Sequence, residues 1–226
     1  MKTKIRYLPL TATPFKCSSV YQEISPCPVL RPYVRCFWGG ESCCPDTETE
    51  ESSEIVIPDT CVDIIYRIDD EGYIITSDFI GINDRSFFTC SDKKSLHKLS
   101  VFAIRFYAWS AYLFSEDSLT GTVNGRYDVR ERFGWLDREL RRRLPEPGSL
   151  TEWTGMAEML LLKKFETARK NMVLDSVVSD ILRHQGAFTV GQLSKENFVS
   201  SRQMERLFYE YVGITPKKLS NLVRYQ

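Results

Sequence analysis

The 226 residues contain only two histidines, His97 and His184, and neither sits in a recognisable motif. Histidine is the side chain that titrates near neutrality and the commonest metal ligand, so this scarcity leaves little for a histidine-based or metal-dependent centre. Also missing are a G-x-S-x-G nucleophile elbow, a phosphate-cradling glycine loop and an H-E-x-x-H helix. The chain is therefore not read as an enzyme, and neither a cofactor nor a metal is expected. A charge excess is lacking too: Lys plus Arg and Asp plus Glu stand at 30 each. No global basic field announces a nucleic-acid partner, so any such binding must come from a local patch.

Long hydrophobic runs are likewise absent. No stretch reaches the roughly 18 consecutive apolar residues that span a bilayer, and the opening MKTKIRYLPLTATPF lacks the apolar stretch of a signal peptide. The expectation is a soluble, cytoplasmic protein with no membrane partner. Cysteine disappears after residue 90: Cys17, Cys27, Cys36, Cys43, Cys44, Cys61 and Cys90 are an odd set without disulfide or zinc spacing. They read as free thiols in a reducing compartment. A metal or redox cluster at Cys36, Cys43 and Cys44 lacks neighbours to complete four ligands.

What is present is enough apolar material, 42% of residues against 27% charged, to bury a core in one large or two modest domains. Between residues 33 and 107, short β-branched and aromatic runs alternate with Gly, Pro, Asp and Asn. Strands are expected at 33–38, 62–68, 73–76, 79–82 and 99–107. In VDIIYRI, Val62, Ile64, Tyr66 and Ile68 share one face and Asp63, Ile65 and Arg67 the other. The turn Asp69-Asp70-Glu71-Gly72 suggests a hairpin into Tyr73. From Glu41 through Asp63 there are eight acidic residues and no basic one, which reads as a solvated, mobile loop. Asp59 and Asp63 are taken as solvent-facing or turn residues. Trp38, Tyr66, Phe102, Phe106 and Trp109 are core residues by composition, with a pocket lining as the sharper alternative.

After Asp128 the period becomes helical. One Arg-rich helix is expected over 129–144, a break at Pro145-Glu146-Pro147-Gly148, and a second helix capped by Ser149 or Thr151 and running to about Lys170. From Asp175, Val177, Val178, Ile181 and Leu182 form an apolar stripe that Gly186 ends, and Thr189 can cap a short helix through Glu196. Ser200 stands three residues before Gln203, the spacing of a capping box. In the helix that follows, Met204, Leu207, Phe208, Tyr211 and Val212 make one stripe, leaving Arg202, Glu205, Arg206 and Tyr209 on the far side. A guanidinium fork matches the paired acceptors of a guanine edge, which is the chemistry a recognition helix needs.

The run LSKENFVSSRQMERLFYEYVGITPKKLSNLVRYQ resembles the signature of the AraC/XylS family of transcription regulators: a capped recognition helix ending in Leu207-Phe208, then Gly213-Ile214-Thr215-Pro216 and a connecting helix. SPCPVLRPYVRCFWGG, IPDTCVDIIYRI, DFIGINDRSF and VFAIRFYAWSAYLF are similar to the β-rich domain that often precedes such modules. The resemblance implies double-stranded DNA as partner, with Arg202, Glu205 and Arg206 facing bases, Ser201 and Gln203 beside them, and Lys217 and Lys218 at the phosphate backbone. It also implies a front domain that senses a small-molecule effector or forms a homodimer. Family members carry two helix-turn-helix units, and only the first, truncated at Gln226, is expected here.

Three positions depart from the family: Ser194 for Ala, Asn197 for an apolar residue, and Phe198 for the turn glycine. A bulky residue at positive φ costs about 1–2 kcal/mol, so the turn is expected to be remodelled. The whole reads as α+β: a barrel or sandwich-like β-rich domain over 1–127, a helical bridge over 128–170 and a helix-turn-helix over 171–226. The alternative is a ligand-binding or protein-interaction domain whose incomplete helix-turn-helix no longer binds DNA by itself.

Overall fold

The computed structural model of the protein describes residues 7, 9, 21–41, 53–90, 100–144 and 148–226. Cys17, Cys43, Cys44, His97, most of the acidic run and the break at 145–147 lie outside the described residues, as does the Cys90 side chain. Eight strands come first: β1 (Gln22–Ile24), β2 (Val34–Glu41), β3 (Ser53–Val56), β4 (Cys61–Ile68), β5 (Ile74–Ile80), β6 (Phe87–Cys90), β7 (Ser100–Tyr107) and β8 (Arg126–Asp128). Six α-helices follow: α1 (Arg130–Arg143), α2 (Leu150–Glu166), α3 (Met172–Arg183), α4 (Val190–Glu196), α5 (Ser201–Tyr211) and α6 (Pro216–Tyr225). The class is α+β. Six strands form an antiparallel sheet in the order β1-β2-β7-β4-β5-β8 that does not close into a barrel, while β3 and β6 pair in a separate ribbon. The tail of the acidic run is thus strand rather than loop, since β3 begins at Ser53.

The hairpin β4–β5 forms where expected. The Asp69 carboxylate accepts the N–H groups of Glu71 and Tyr73 at 3.1 and 2.8 Å, and Gly72 supplies φ of +97°. The two strands expected at 73–76 and 79–82 are one, β5. Ser77 and Asp78, which look like punctuation, sit in register opposite Tyr66 and Ile65. Their side chains serve as acceptors for Arg141 and Arg67 rather than as turn formers.

Alternation along the central strands sends Phe37, Ile64, Tyr66, Phe79, Phe102 and Phe106 to one fully buried face. Helices α1 and α2 cover that face with Phe133, Leu136, Leu140, Trp153 and Leu161, Phe79 meeting Phe133 at 5.0 Å and Phe102 meeting Trp153 at 6.1 Å. Each such aromatic ring contributes about 1.5–3 kcal/mol by leaving water. Tyr66, Phe102 and Phe106 are therefore core. The residues read as a bridge form the second layer of the sheet domain. Helix α2 starts at a complete Ser149–Glu152 capping box and ends at Glu166, short of Lys170. Helix α3 begins three residues before Asp175, because the Asn171 side chain accepts the Leu174 N–H at 3.0 Å and caps it.

The last four helices share one core of Leu174, Val177, Ile181, Leu193, Met204, Phe208, Val212, Leu219 and Leu222. Gly186 closes α3 with φ of +72°, and an added Cβ there would stand 2.1 Å from the Ser220 carbonyl, so no other residue lets α3 approach α6 this closely. The turn between α4 and α5 is not remodelled: Phe198 adopts φ of +52° and its ring, 98% exposed, projects into solvent. The other two departures hold it. The Ser194 hydroxyl donates to the Val199 carbonyl at 2.5 Å, and the Asn197 amide donates to Asp180 of α3 at 2.9 Å. No helix among the described residues is long and apolar enough to cross a membrane.

Candidate DNA-reading face and sheet cavity

Helix α5 carries most of the sequence-predicted site. Ser200 caps it through a complete capping box: its hydroxyl accepts the Gln203 N–H at 3.2 Å and the Gln203 side chain accepts the Ser200 N–H, also at 3.2 Å. Met204 and Phe208 are fully buried against α3 and α4. That fixes the helix about its own axis. Ser201, Arg202, Gln203, Glu205 and Arg206 are consequently all exposed on the opposite side. Among the described residues neither Arg202 nor Arg206 has an ion-pair partner. Two guanidinium groups one turn apart beside a helix amino terminus, whose N–H groups and dipole favour anions, form a small electropositive face.

The far end of α5 is held by the sheet domain. The backbone N–H of Leu119 and the hydroxyl of Ser118 donate to the Glu210 carbonyl at 2.9 and 3.2 Å, and the Thr120 hydroxyl donates to the Tyr209 carbonyl at 3.1 Å. These are the carbonyls a helix terminus otherwise leaves to water. Gly213, at φ of +84°, lets the chain pass the Leu119 carbonyl, which an added Cβ would approach to 2.9 Å. The Tyr112 ring packs on Tyr211 at 4.8 Å. Lys217 and Lys218 belong to a different element, the start of α6, whose cap is Thr215. Both are exposed, but the Lys218 ammonium lies 2.5 Å from Asp84 of the sheet domain. Of the two lysines predicted to meet phosphate, only Lys217 is unpaired among the described residues.

The second candidate site was only half foreseen. The face of the sheet opposite the aromatic core forms one wall of an open cavity of about 620 Å³, which Val56, Ile57 and Phe87 of the β3–β6 region also line. Trp38, Arg105, Asp63, Ile65, Arg67, Asp78 and Ile80 line it from β2, β7, β4 and β5. Of Trp38, Tyr66, Phe102, Phe106 and Trp109, Trp38 alone belongs to this lining; Trp109 stacks on Tyr107 and meets Tyr7 at a tilt instead. Asp59 and Asp63 are not solvent-facing residues. Asp59 is buried and pairs with Arg105, itself 7% exposed, and its other oxygen accepts the Cys61 N–H at 2.8 Å. Asp63 lies 3.8 Å from the same guanidinium and accepts the Trp38 indole N–H at 2.9 Å. Burial pushes the Asp59 carboxyl up, and the Arg105 guanidinium opposes that push. Nearby, burial raises the Cys36 thiol to about 12.

The alternation of VDIIYRI already placed Asp63, Ile65 and Arg67 together on one face. What it could not supply is the other lining: β3 and β6 lie far apart in sequence, and only their pairing turns a solvent face into a cavity wall.

Residues 22–126 match the model of a family described as Domain of unknown function (DUF6597). The match runs from the first residue of β1 to the first of β8 and holds every cavity-lining residue except Tyr21. It leaves all six α-helices outside. No curated protein and no solved structure matches the chain.

Proposed function

We propose that the protein is a sequence-specific DNA-binding transcription regulator of the AraC type, whose sheet domain responds to a small-molecule effector. The observation that carries this reading is the orientation of α5. Its back is locked by Met204 and Phe208 and its carboxy end by residues 118–120, so Arg202, Glu205 and Arg206 project from the free amino-terminal half. A reader needs such a preorganised helix, because side chains that must be ordered on binding lose affinity to entropy. The AraC-like run, which holds the second half of α4 and all of α5 and α6, supports the same assignment. In this reading Arg202 and Arg206 address base edges, Glu205 accepts from an exposed amino group of cytosine, and Lys217 meets the backbone. Lys218 joins it only after leaving Asp84.

A mobility-shift titration against duplex from upstream of the protein's own gene tests the reading. The reading expects a preferred fragment over random duplex of equal length, with affinity falling steeply as salt rises. Equal binding to both kinds of duplex, or none to either, contradicts it. Lys217→Ala is expected to weaken all duplexes alike and to reduce the salt slope by about one counterion.

A further inference from the structure

The turn between α4 and α5 carries a side chain that the fold itself does not use. Its backbone takes the left-handed path that suits glycine, with Phe198 at φ of +52°. That path is fixed from both sides. The Val199 N–H donates to the Ser194 carbonyl at 3.2 Å while the Ser194 hydroxyl donates to the Val199 carbonyl at 2.5 Å. The Asn197 amide donates to Asp180 and to the Leu193 carbonyl, each at 2.9 Å. Because this backbone is the one a glycine would adopt, what phenylalanine adds is the ring alone. The ring is 98% exposed and gains almost nothing from burial. A single apolar side chain on a surface is ordinary, as Met172 is at the start of α3. Phe198 differs in being exposed and conformationally disfavoured at once, and backbone strain of this kind gathers where a side chain serves a site.

Its position says which site. Phe198 stands two residues before the cap Ser200 and four before Arg202. Four residues span at most about 14 Å, which is the rise of about four base pairs. Ring and guanidinium groups therefore face the same short stretch of any duplex that α5 enters. Arg202 and Arg206 are exposed and have no ion-pair partner among the described residues, so this surface suits a polyanion rather than an apolar protein face. On the major-groove edges of a duplex, the apolar group that a ring can pack against is the 5-methyl of thymine.

We infer that Phe198 is a specificity-determining contact of this face, its ring packing on a thymine 5-methyl group close to the bases that Arg202 and Arg206 address. The inference rests on the DNA-reading function proposed above and adds to it a base feature that guanidinium chemistry does not read.

The test uses the full chain and duplex that it selects from a random pool, each thymine being replaced in turn by deoxyuridine, which removes the methyl group and keeps every hydrogen-bonding edge. For the parent, replacement of at least one thymine is expected to weaken binding about fourfold, as for one methyl-sized group returned to water. Phe198→Ala should weaken binding to the unmodified duplex at least as much and bind the thymine and deoxyuridine forms alike. Its salt slope should equal the parent's, since no charge is removed, and its urea midpoint should not fall, so that lost affinity is not lost fold. Parent-like affinity of Phe198→Ala overturns the inference and leaves the ring to a protein partner. Weaker binding by Phe198→Ala with the thymine preference intact overturns it too, because the effect then comes through the turn rather than a contact, as does a parent indifferent to deoxyuridine at every position. A parent that selects no duplex fails the DNA-reading proposal and takes the inference with it, whereas selection that depends on Arg202 and Arg206 but not on Phe198 fails the inference alone.

Discussion

The sheet domain and the helix module treat the same side chain in opposite ways. In the sheet, Arg105 lies between Asp59 and Asp63 with almost no solvent contact, and its donors are largely consumed by the fold. In the module, Arg202 and Arg206 stand clear of the surface with no ion pair among the described residues. A buried guanidinium without partners would be costly, so the sheet must supply carboxylates; an exposed one loses little by remaining unpaired. The difference separates charge that holds the fold together from charge that remains available to a ligand. The cavity's β5–β8 end falls between these extremes, with Asp78 divided between two guanidiniums.

The largest effect that would break this contrast is expected at Arg105. Arg105→Met leaves the buried Asp59 and the part-buried Asp63 carboxylates without their cation and should cost about 3–5 kcal/mol in urea unfolding, whereas Arg202→Met should lie within about 0.5 kcal/mol of the parent. Similar costs for the two variants would erase the distinction. Next comes Gly213→Ala, which forces a side chain into φ of +84° against the Leu119 carbonyl and should cost more than about 1–2 kcal/mol, by the same measurement. Phe198→Gly should do the reverse: its ring touches solvent, so relief of a left-handed backbone is opposed only by added freedom of the unfolded chain, and stability rises by up to about 1 kcal/mol.

The smallest effect concerns Lys218 and Asp84. Hydrogen bonds from Lys218 and Asn124 hold the Asp84 carboxyl below the usual carboxylate range. A depressed folded-state value stabilises above the unfolded carboxylate's pKa, about 3.9, and that contribution disappears as pH falls through the lowered value. Asp84→Asn should therefore lower stability slightly at pH 7, by no more than about 1 kcal/mol for so exposed a pair, with the difference vanishing in strong acid. A difference that persists or grows below pH 3 would contradict this.

Much of the helix module was legible because its signals are local. The cap at Thr189, the capping box at Ser200 and the stripe through Met204 and Phe208 depend on residues three or four apart, and all appear as read; of the two caps offered for α2, Ser149 is the one used. The Asn171 cap is equally local and was missed, since Asp175 stood closer to the apolar stripe. The sheet was legible in its strands but not its order. Pairing β2 with β7 joins residues 59 to 72 apart, and nothing in either run specifies that partner. The cavity was hidden for the same reason, together with a second one: Asp59 follows Pro58 in an acidic stretch, the pattern of a solvated turn, and only Arg105 from β7 makes its burial tolerable. Phe198 shows how a local rule can be correct and still be overridden. The strain is real, but hydrogen bonds from Ser194 and Asn197 hold the turn in spite of it.

The central claim, that the exposed half of α5 reads base edges, is tested most directly with duplex selected from a random pool by the parent protein. Arg202→Ala and Arg206→Ala should each weaken binding to the selected site by about 1–3 kcal/mol, roughly 5- to 150-fold, and relax preference at a single base position while urea stability stays within about 0.5 kcal/mol. Parent-like affinity and unchanged base preference in both variants would contradict it.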